Sequence, residues 1–168
     1  MLKIATTLKE LNFSELMEVY AEGNEKTASA AYPNESRYQG IRRAEQDFYQ
    51  YLNECFFLSE GSFYALWLEN SQYMSALRME PYRDGLLLEA LETRPGQRKK
   101  GFAGALMRGV LDHTRGTAVY SHVSRRNAAS LAVHRSCGFS QILDYAVYAD
   151  GSVLTNSVTM KYTVPASL

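Results

Sequence analysis

From residue 93 to 104 the chain reads Thr93-Arg94-Pro95-Gly96-Gln97-Arg98-Lys99-Lys100-Gly101-Phe102-Ala103-Gly104. Arg94, Arg98, Lys99 and Lys100 fall within seven residues, beside glycines that let a backbone approach a ligand closely. An apolar run (Leu86, Leu87, Leu88, Ala90, Leu91) precedes this stretch, and a helical pattern (Phe102, Ala103, Leu106, Met107, Val110, Leu111) follows it. Strand, basic turn and helix in that order aim several backbone N–H groups and the positive end of a helix dipole at one small volume. A polyphosphate suits such a volume best. Taken alone, the same turn also reads as a solvated surface loop.

A second segment, Asn127-Ala128-Ala129-Ser130-Leu131-Ala132-Val133-His134-Arg135-Ser136-Cys137-Gly138-Phe139, carries polar groups on a helix. Asn127 is a good N-cap, Gly138 a good C-terminal stop and Phe139 a core residue.

The whole chain limits what these segments serve. Its 168 residues suffice for one domain, 1–168, with a real core. Hydrophobic residues are 46% and charged residues 21%, ordinary for a globular protein. Eighteen basic and eighteen acidic residues cancel, which argues against a nucleic-acid partner. The local cationic cluster on a neutral chain therefore points to a specific anionic ligand. No apolar run approaches the ~20 residues that span a bilayer, and Met1 to Thr6 lacks a signal-type core, so no membrane partner is expected. Cys55 and Cys137 lack ligand spacing, so no metal is expected, and free thiols in a reducing cytoplasm are the default.

The elements that must position the two segments follow from periodicity. A short helix is expected around Leu11 to Tyr20, ending near Gly23, with a loop over Asn24 to Glu35. A longer helix runs from about Ser36 to Phe57, with Ile41, Ala44, Phe48, Tyr51, Leu52 and Cys55 inward. Strands follow at Phe63–Leu68 and Gln72–Met79, then a turn at Pro81 to Gly85, where Gly85 supplies φ > 0. Leu86–Thr93 reads as a central strand buried on both faces. After the basic turn come a helix to about His113, a strand at Thr117–Val123 and the Asn127 helix. A hairpin of Ile142–Tyr148 and Val153–Tyr162 turns at Asp150-Gly151. This order, with room for a short strand before the first helix, predicts an α+β or mixed α/β fold with helices on both faces of one sheet.

The order and the two segments together resemble the GNAT superfamily of acyl-CoA-dependent N-acyltransferases. Its cofactor loop has a basic residue or Gln, two variable residues, Gly, one variable residue, then Gly or Ala; Arg98-Lys99-Lys100-Gly101-Phe102-Ala103 matches it. Pro95 lies three residues before the basic position, as in the family. Asn127 to Phe139 is similar to the family's Asn, Ser, aromatic, Gly-Phe helix. The resemblance implies a mostly antiparallel sheet of six to seven strands flanked by about four helices. It implies acetyl-CoA as co-substrate, its pyrophosphate on the backbone of Arg98, Lys99, Lys100, Gly101, Phe102, Ala103 and Gly104. The pantetheine arm would lie along Leu91 to Thr93, with Asn127 and Ser130 as polar contacts.

The reaction so implied is direct attack of an amine on the thioester. It needs a base for the amine, donors for the oxyanion and a proton for the leaving thiolate. Glu89 and Glu92 on the central strand are the candidate bases, and strand alternation puts them on opposite faces. Glu89 interrupts the leucine run, where burial would raise its pKa; the same residue also reads as a paired structural carboxylate. Where the family often has a Tyr seven residues after the Asn, this chain has His134. His134 is either the acid or a packing group, with Tyr145, Tyr148 or water as donor in the latter case. The acceptor is a small-molecule or peptide amine, met by tyrosine-rich segments (Tyr32, Tyr38, Tyr49, Tyr51, Tyr145, Tyr148). A non-catalytic acyl-CoA-binding module of the same fold is the alternative. The chain acts as a monomer or homodimer.

Overall fold

The computed structural model describes residues 1–162. In chain order its elements are β1 (Leu2–Ala5), α1 (Phe13–Val19), α2 (Ala21–Ala31), α3 (Arg37–Glu54), β2 (Phe63–Glu69), β3 (Gln72–Tyr82) and β4 (Gly85–Thr93). Then come α4 (Phe102–His113), β5 (Ala118–Ser124), α5 (Ala128–Ser136), β6 (Phe139–Leu143), β7 (Ala146–Val147), β8 (Val153–Leu154) and β9 (Ser157–Tyr162). Seven strands form one sheet in the order β1-β2-β3-β4-β5-β9-β6. Every neighbouring pair is antiparallel except β4–β5. This is the mixed α/β, mostly antiparallel architecture expected. No described helix is long and apolar enough to cross a membrane.

The sheet separates two cores. Leu106, Met107 and Val110 of α4 pack with Ala65, Leu77, Met79, Leu88, Val119 and Met160 on one face. Leu16 of α1 and Leu52 of α3 pack with Phe56, Tyr64, Leu66 and Ala76 on the other. Each fully buried leucine contributes roughly 1.5–3 kcal/mol through area removed from water.

The described residues form five α-helices where about four were expected. The extra one, α2, occupies much of the segment read as a loop. Its residues are polar or small, but Asn24 is buried and donates to Met17 Sδ at 3.3 Å. Ala28 packs where α3 offers only a glycine: a Cβ on Gly40 would lie 3.5 Å from the Ala28 Cβ. Tertiary packing, not periodicity, makes this helix.

The C-terminal hairpin is also different. Its first strand begins at Phe139, and β6 pairs with β9 from Phe139↔Tyr162 to Leu143↔Thr159. The Asp150-Gly151 turn instead closes the separate ribbon β7–β8. Tyr82 Oη, donating to the Val147 carbonyl, ties that ribbon to the end of β3.

Gly85 is a glycine for another reason than the one expected. The positive φ falls on Arg83 (φ 50), while a Cβ on Gly85 would lie 2.0 Å from the Ala118 carbonyl oxygen. The close approach of β4 and β5 requires the bare backbone.

Two irregularities in β4 shape the molecule. Pairing with β5 runs from Gly85↔Ala118 to Leu88↔Ser121 and registers no further pair, while β5 stays paired with β9 through Ser124. The sheet therefore opens between β4 and β5 past Leu88. Burial of both strand faces holds at Leu87 and Leu88 and lapses from Glu89 onward. The second irregularity is a bulge. Ala76 opposes Glu92 and Arg78 opposes Glu89, so two steps along β3 match three along β4. Ala90 takes φ 51 inside that interval. Cross-strand partners share a face, so the bulge places Glu89 and Glu92 on the same face, not on opposite ones.

Candidate active site

The opening between β4 and β5 is bounded at one end by the basic turn. Gln97 N donates to the Arg94 carbonyl at 3.0 Å, and Gly96 (φ 79) and Lys99 (φ 63) reverse the chain. Gly101 (φ 84) is the N-cap of α4 and supplies no side-chain cap. The first-turn N–H groups of α4, including those of Phe102, Ala103 and Gly104, thus have no intrahelical acceptor. They face a region where the dipole favours an anion.

The cations of this turn are sorted by their partners. Arg94 turns inward to Glu15 Oε2 at 2.8 Å, with only 13% of its side chain exposed. Arg98 reaches Glu22 on α2 at 2.7 Å, and Lys100 donates to Gln97 at 2.8 Å. Lys99 is exposed and has no side-chain hydrogen bond or ion pair among the described residues.

Asn127 caps α5, accepting from Ser130 N at 3.0 Å through Oδ1. Its amide nitrogen has no hydrogen-bond partner among the described residues. Ser130 Oγ lies 3.3 Å from His134 Nδ1. His134 itself is 1% exposed. Its Nδ1 lies 2.8 Å from the Ser130 carbonyl and its Nε2 lies 2.8 Å from Ser121 Oγ. A carbonyl at Nδ1 requires the N–H there, so Nε2 of the neutral ring is an acceptor. Burial holds the imidazole below its usual pKa, partly offset by the Ser130 carbonyl. The ring packs on Phe139 in the α4–α5 layer, with centroids 5.1 Å apart. The structure therefore does not bring His134 together with the two glutamates, which lie on the other face of the sheet.

On that other face a polar cluster surrounds Glu89. Arg78 lies 3.7 Å from it, and Tyr51 Oη donates to Glu80 at 3.1 Å. Burial raises the Glu89 pKa, the nearby Glu80 carboxylate raises it further, and Arg78 works against both. Glu92, nearer the basic turn, is also raised by desolvation, with Arg98 opposing. Tyr148, raised by burial and by the Glu89 charge, stacks edge-on against His122 with centroids 4.8 Å apart. His122 in turn stacks against Tyr82 at 5.5 Å, its Nδ1 is buried without a partner among the described residues, and burial and then Arg83 lower its pKa. A cleft of about 470 Å³ lined by Pro81, Tyr82, Arg83, Tyr148, Ala149 and Gly151 opens beside this cluster. Tyr145 is 40% exposed, and its carbonyl accepts from Thr159 Oγ1 at 2.6 Å.

Arg78, Glu80 and Tyr82 were missed by sequence reasoning. Their signal was present: three polar or amphipathic residues at a spacing of two on one strand share a face. His122 gave no comparable signal, because its neighbours come from other strands.

Residues 17–139 match the model of the acetyltransferase (GNAT) family. No curated protein matches the sequence significantly. The fold is similar to that of the PaiA N-acetyltransferase of Thermoplasma acidophilum, solved with coenzyme A (TM-score 0.64, 14% identity, 98% of this chain and 99% of that one). It is similar to the ribosomal-protein-S18-alanine N-acetyltransferase of Escherichia coli (TM-score 0.57, 19% identity, 100% and 99%). A chimera of the Vibrio cholerae spermidine N-acetyltransferase SpeG with hSSAT is a further structural relative (TM-score 0.56, 16% identity, 96% and 94%). At these identities the likeness is one of fold.

Proposed function

Because the chain belongs to the GNAT acetyltransferase family, we propose that it transfers an acetyl group from acetyl-CoA to a primary amine by direct attack. The observation that carries this reading is the opening of the sheet past Leu88 and Ser121. At one end stand the free N–H groups of α4; on the adjoining face stands a carboxylate with a raised pKa.

The pyrophosphate of the donor fits the backbone from Arg98 to Gly104, with Lys99 the cation least committed elsewhere. Binding there competes with Glu22 for Arg98. The pantetheine arm fits the edge of β4 from Leu91 to Thr93, and the Asn127 amide supplies a donor from the β5 side. Glu89 takes the proton as the amine nitrogen bonds to the thioester carbon and the carbon–sulfur bond breaks. A carboxylate held above its usual pKa is a better base for an ammonium than an exposed one. Glu92 is the alternative base, because the bulge puts it on the same face. His134, with both nitrogens engaged, serves to tie α5 to β5. Tyr148, stacked on His122 and sensing the Glu89 charge, is assigned the return of a proton to the thiolate. Glu80, Glu89 and the surrounding tyrosines suit an amine that arrives as a cation. The free thiols of Cys55 and Cys137 fit a cytoplasmic setting.

Thiol release from acetyl-CoA over a panel of polyamines, amino acids and peptides tests the proposal. Turnover of at least one amine, abolished by Glu89→Gln and Glu92→Gln together, is the expected result. A melting temperature raised by acetyl-CoA with no turnover over the whole panel would favour the non-catalytic module.

A further inference from the structure

Tyr20 stands at the junction of α1 and α2 and is 8% exposed. Its hydroxyl crosses the helix layer and donates to the Ala90 carbonyl at 2.7 Å. Tyr64 Oη, buried beneath it, donates to the Tyr20 oxygen at 3.4 Å. Ala90 is the residue at φ 51 within the β4 bulge, and the β3–β4 register gives it no partner. A non-glycine residue in the left-handed region is strained, and such strain persists only where the surroundings hold it.

We propose that the Tyr20 hydroxyl is a positioning group that locks the β4 bulge and so holds Glu89 and Glu92 on one face of the sheet. The carbonyl that accepts from Tyr20 is turned out of the sheet plane, toward the α1–α2 layer. Because the peptide is trans, the Leu91 N–H is turned the opposite way. Without the bulge, the three steps of regular strand from Glu89 to Glu92 would put one of the two carboxylates on the α4 face of the sheet. Loss of the Tyr20 hydroxyl therefore loosens the bulge rather than erasing it. The same two helices grip this segment on either side, through Glu15–Arg94 at 2.8 Å and Glu22–Arg98 at 2.7 Å. Of these three contacts from α1 and α2, the one from Tyr20 falls on the bulge itself.

The test uses Tyr20→Phe, Ala90→Gly and the double variant in the full chain. Hydrogen exchange is read at the backbone amides of Glu89 to Thr93 with no ligand present. Tyr20→Phe should speed exchange there by roughly tenfold or more, because a buried acceptor loses its donor, and leave α4 and β6 unchanged. Glycine accepts positive φ freely, so Ala90→Gly in the Tyr20→Phe background should slow exchange back toward the wild-type rate. The kinetic arm rests on the acetyltransferase reading: Tyr20→Phe should lower kcat more than it raises the KM for acetyl-CoA, with partial rescue by Ala90→Gly. Unchanged exchange in β4, exchange raised evenly over α1, α2 and α3, or an Ala90→Gly effect that merely adds to that of Tyr20→Phe would each overturn the proposal. The exchange arm needs no turnover, so failure of the acetyltransferase reading leaves it standing.

Discussion

Arg78 on β3 and Glu89 on β4 oppose each other in the ladder, with their charged groups 3.7 Å apart. The guanidinium also lies 5.2 Å from the Tyr51 ring centroid and 5.8 Å from that of Phe56. Glu89 is thus caught between opposing influences: burial and Glu80 favour its protonated form, and Arg78 favours the carboxylate. A carboxylate held above its ordinary pKa in this way would draw a proton from an incoming ammonium more readily than an exposed glutamate does.

The pH profile of acetyl transfer follows from this balance. A base must be deprotonated, so kcat/KM should rise with pH through a midpoint above the ordinary glutamate value of about 4.3. Glu89→Gln should remove that limb and lower kcat by roughly a hundredfold. If Glu92→Gln removes the limb and Glu89→Gln leaves it, the base is Glu92.

Arg78→Met should shift the same limb to higher pH. Removing the positive neighbour leaves burial and Glu80 unopposed, which raises the Glu89 pKa further. A limb that stays in place would mean that Glu89 is not the group being titrated.

Glu22 and the pyrophosphate are expected to compete for Arg98. Glu22→Gln frees the guanidinium, so the KM for acetyl-CoA should fall severalfold at low salt and less at high salt, where charge interactions are screened. Arg98→Gln should raise it. Titrations at two ionic strengths, with the acceptor held saturating, separate the two effects; an unchanged KM in both variants would remove Arg98 from the donor site.

Gly101→Ala isolates backbone conformation from space. No atom of the described residues lies within 4 Å of the Cβ it would add, but φ is 84. The strain should cost about 1 kcal/mol of stability, seen as a lowered Tm, and should weaken acetyl-CoA binding measured by calorimetry. Gly116→Ala, at φ 88 and also in open space, supplies the comparison: it should lower Tm alike and leave binding intact.

Stability should fall in acid through the buried histidines. Burial holds His134 and His122 below the ordinary value of about 6.5. Between their folded values and 6.5 the unfolded chain binds more protons, so stability rises with pH across that window and falls as pH drops through it. His134→Gln should flatten this slope in Tm measured from pH 5 to 8, leaving the part due to His122. An equally steep slope in the variant would show that His134 is not held neutral.

Much of the architecture was legible in the order of residues. The β4–loop–α4 unit could be read because apolar runs, clustered cations and glycines are local signals, and their physical meaning does not depend on distant contacts. The same holds for Asn127 as an N-cap and for Gly138 (φ 94) after the α5 helix. The α2 helix was not legible, because its stability comes from Ala28 against Gly40 and Asn24 against Met17, pairs that a linear reading does not join.

The site divides along the same line. Residue types and spacing by themselves determined the cationic, glycine-bearing turn, the strand that carries Glu89 and Glu92, and the presence of a histidine in a family's tyrosine position. The tertiary structure decided which side chains meet. A bulge at Ala90, held by a tyrosine seventy residues earlier in the chain, turned two carboxylates expected on opposite faces onto one. Helix and sheet packing placed Arg98 on Glu22 and buried His134 between Ser121 and Ser130. Periodicity describes where a side chain points when its strand is regular. Only long-range contacts specify where the strand departs from regularity, and here that departure lies at the candidate site.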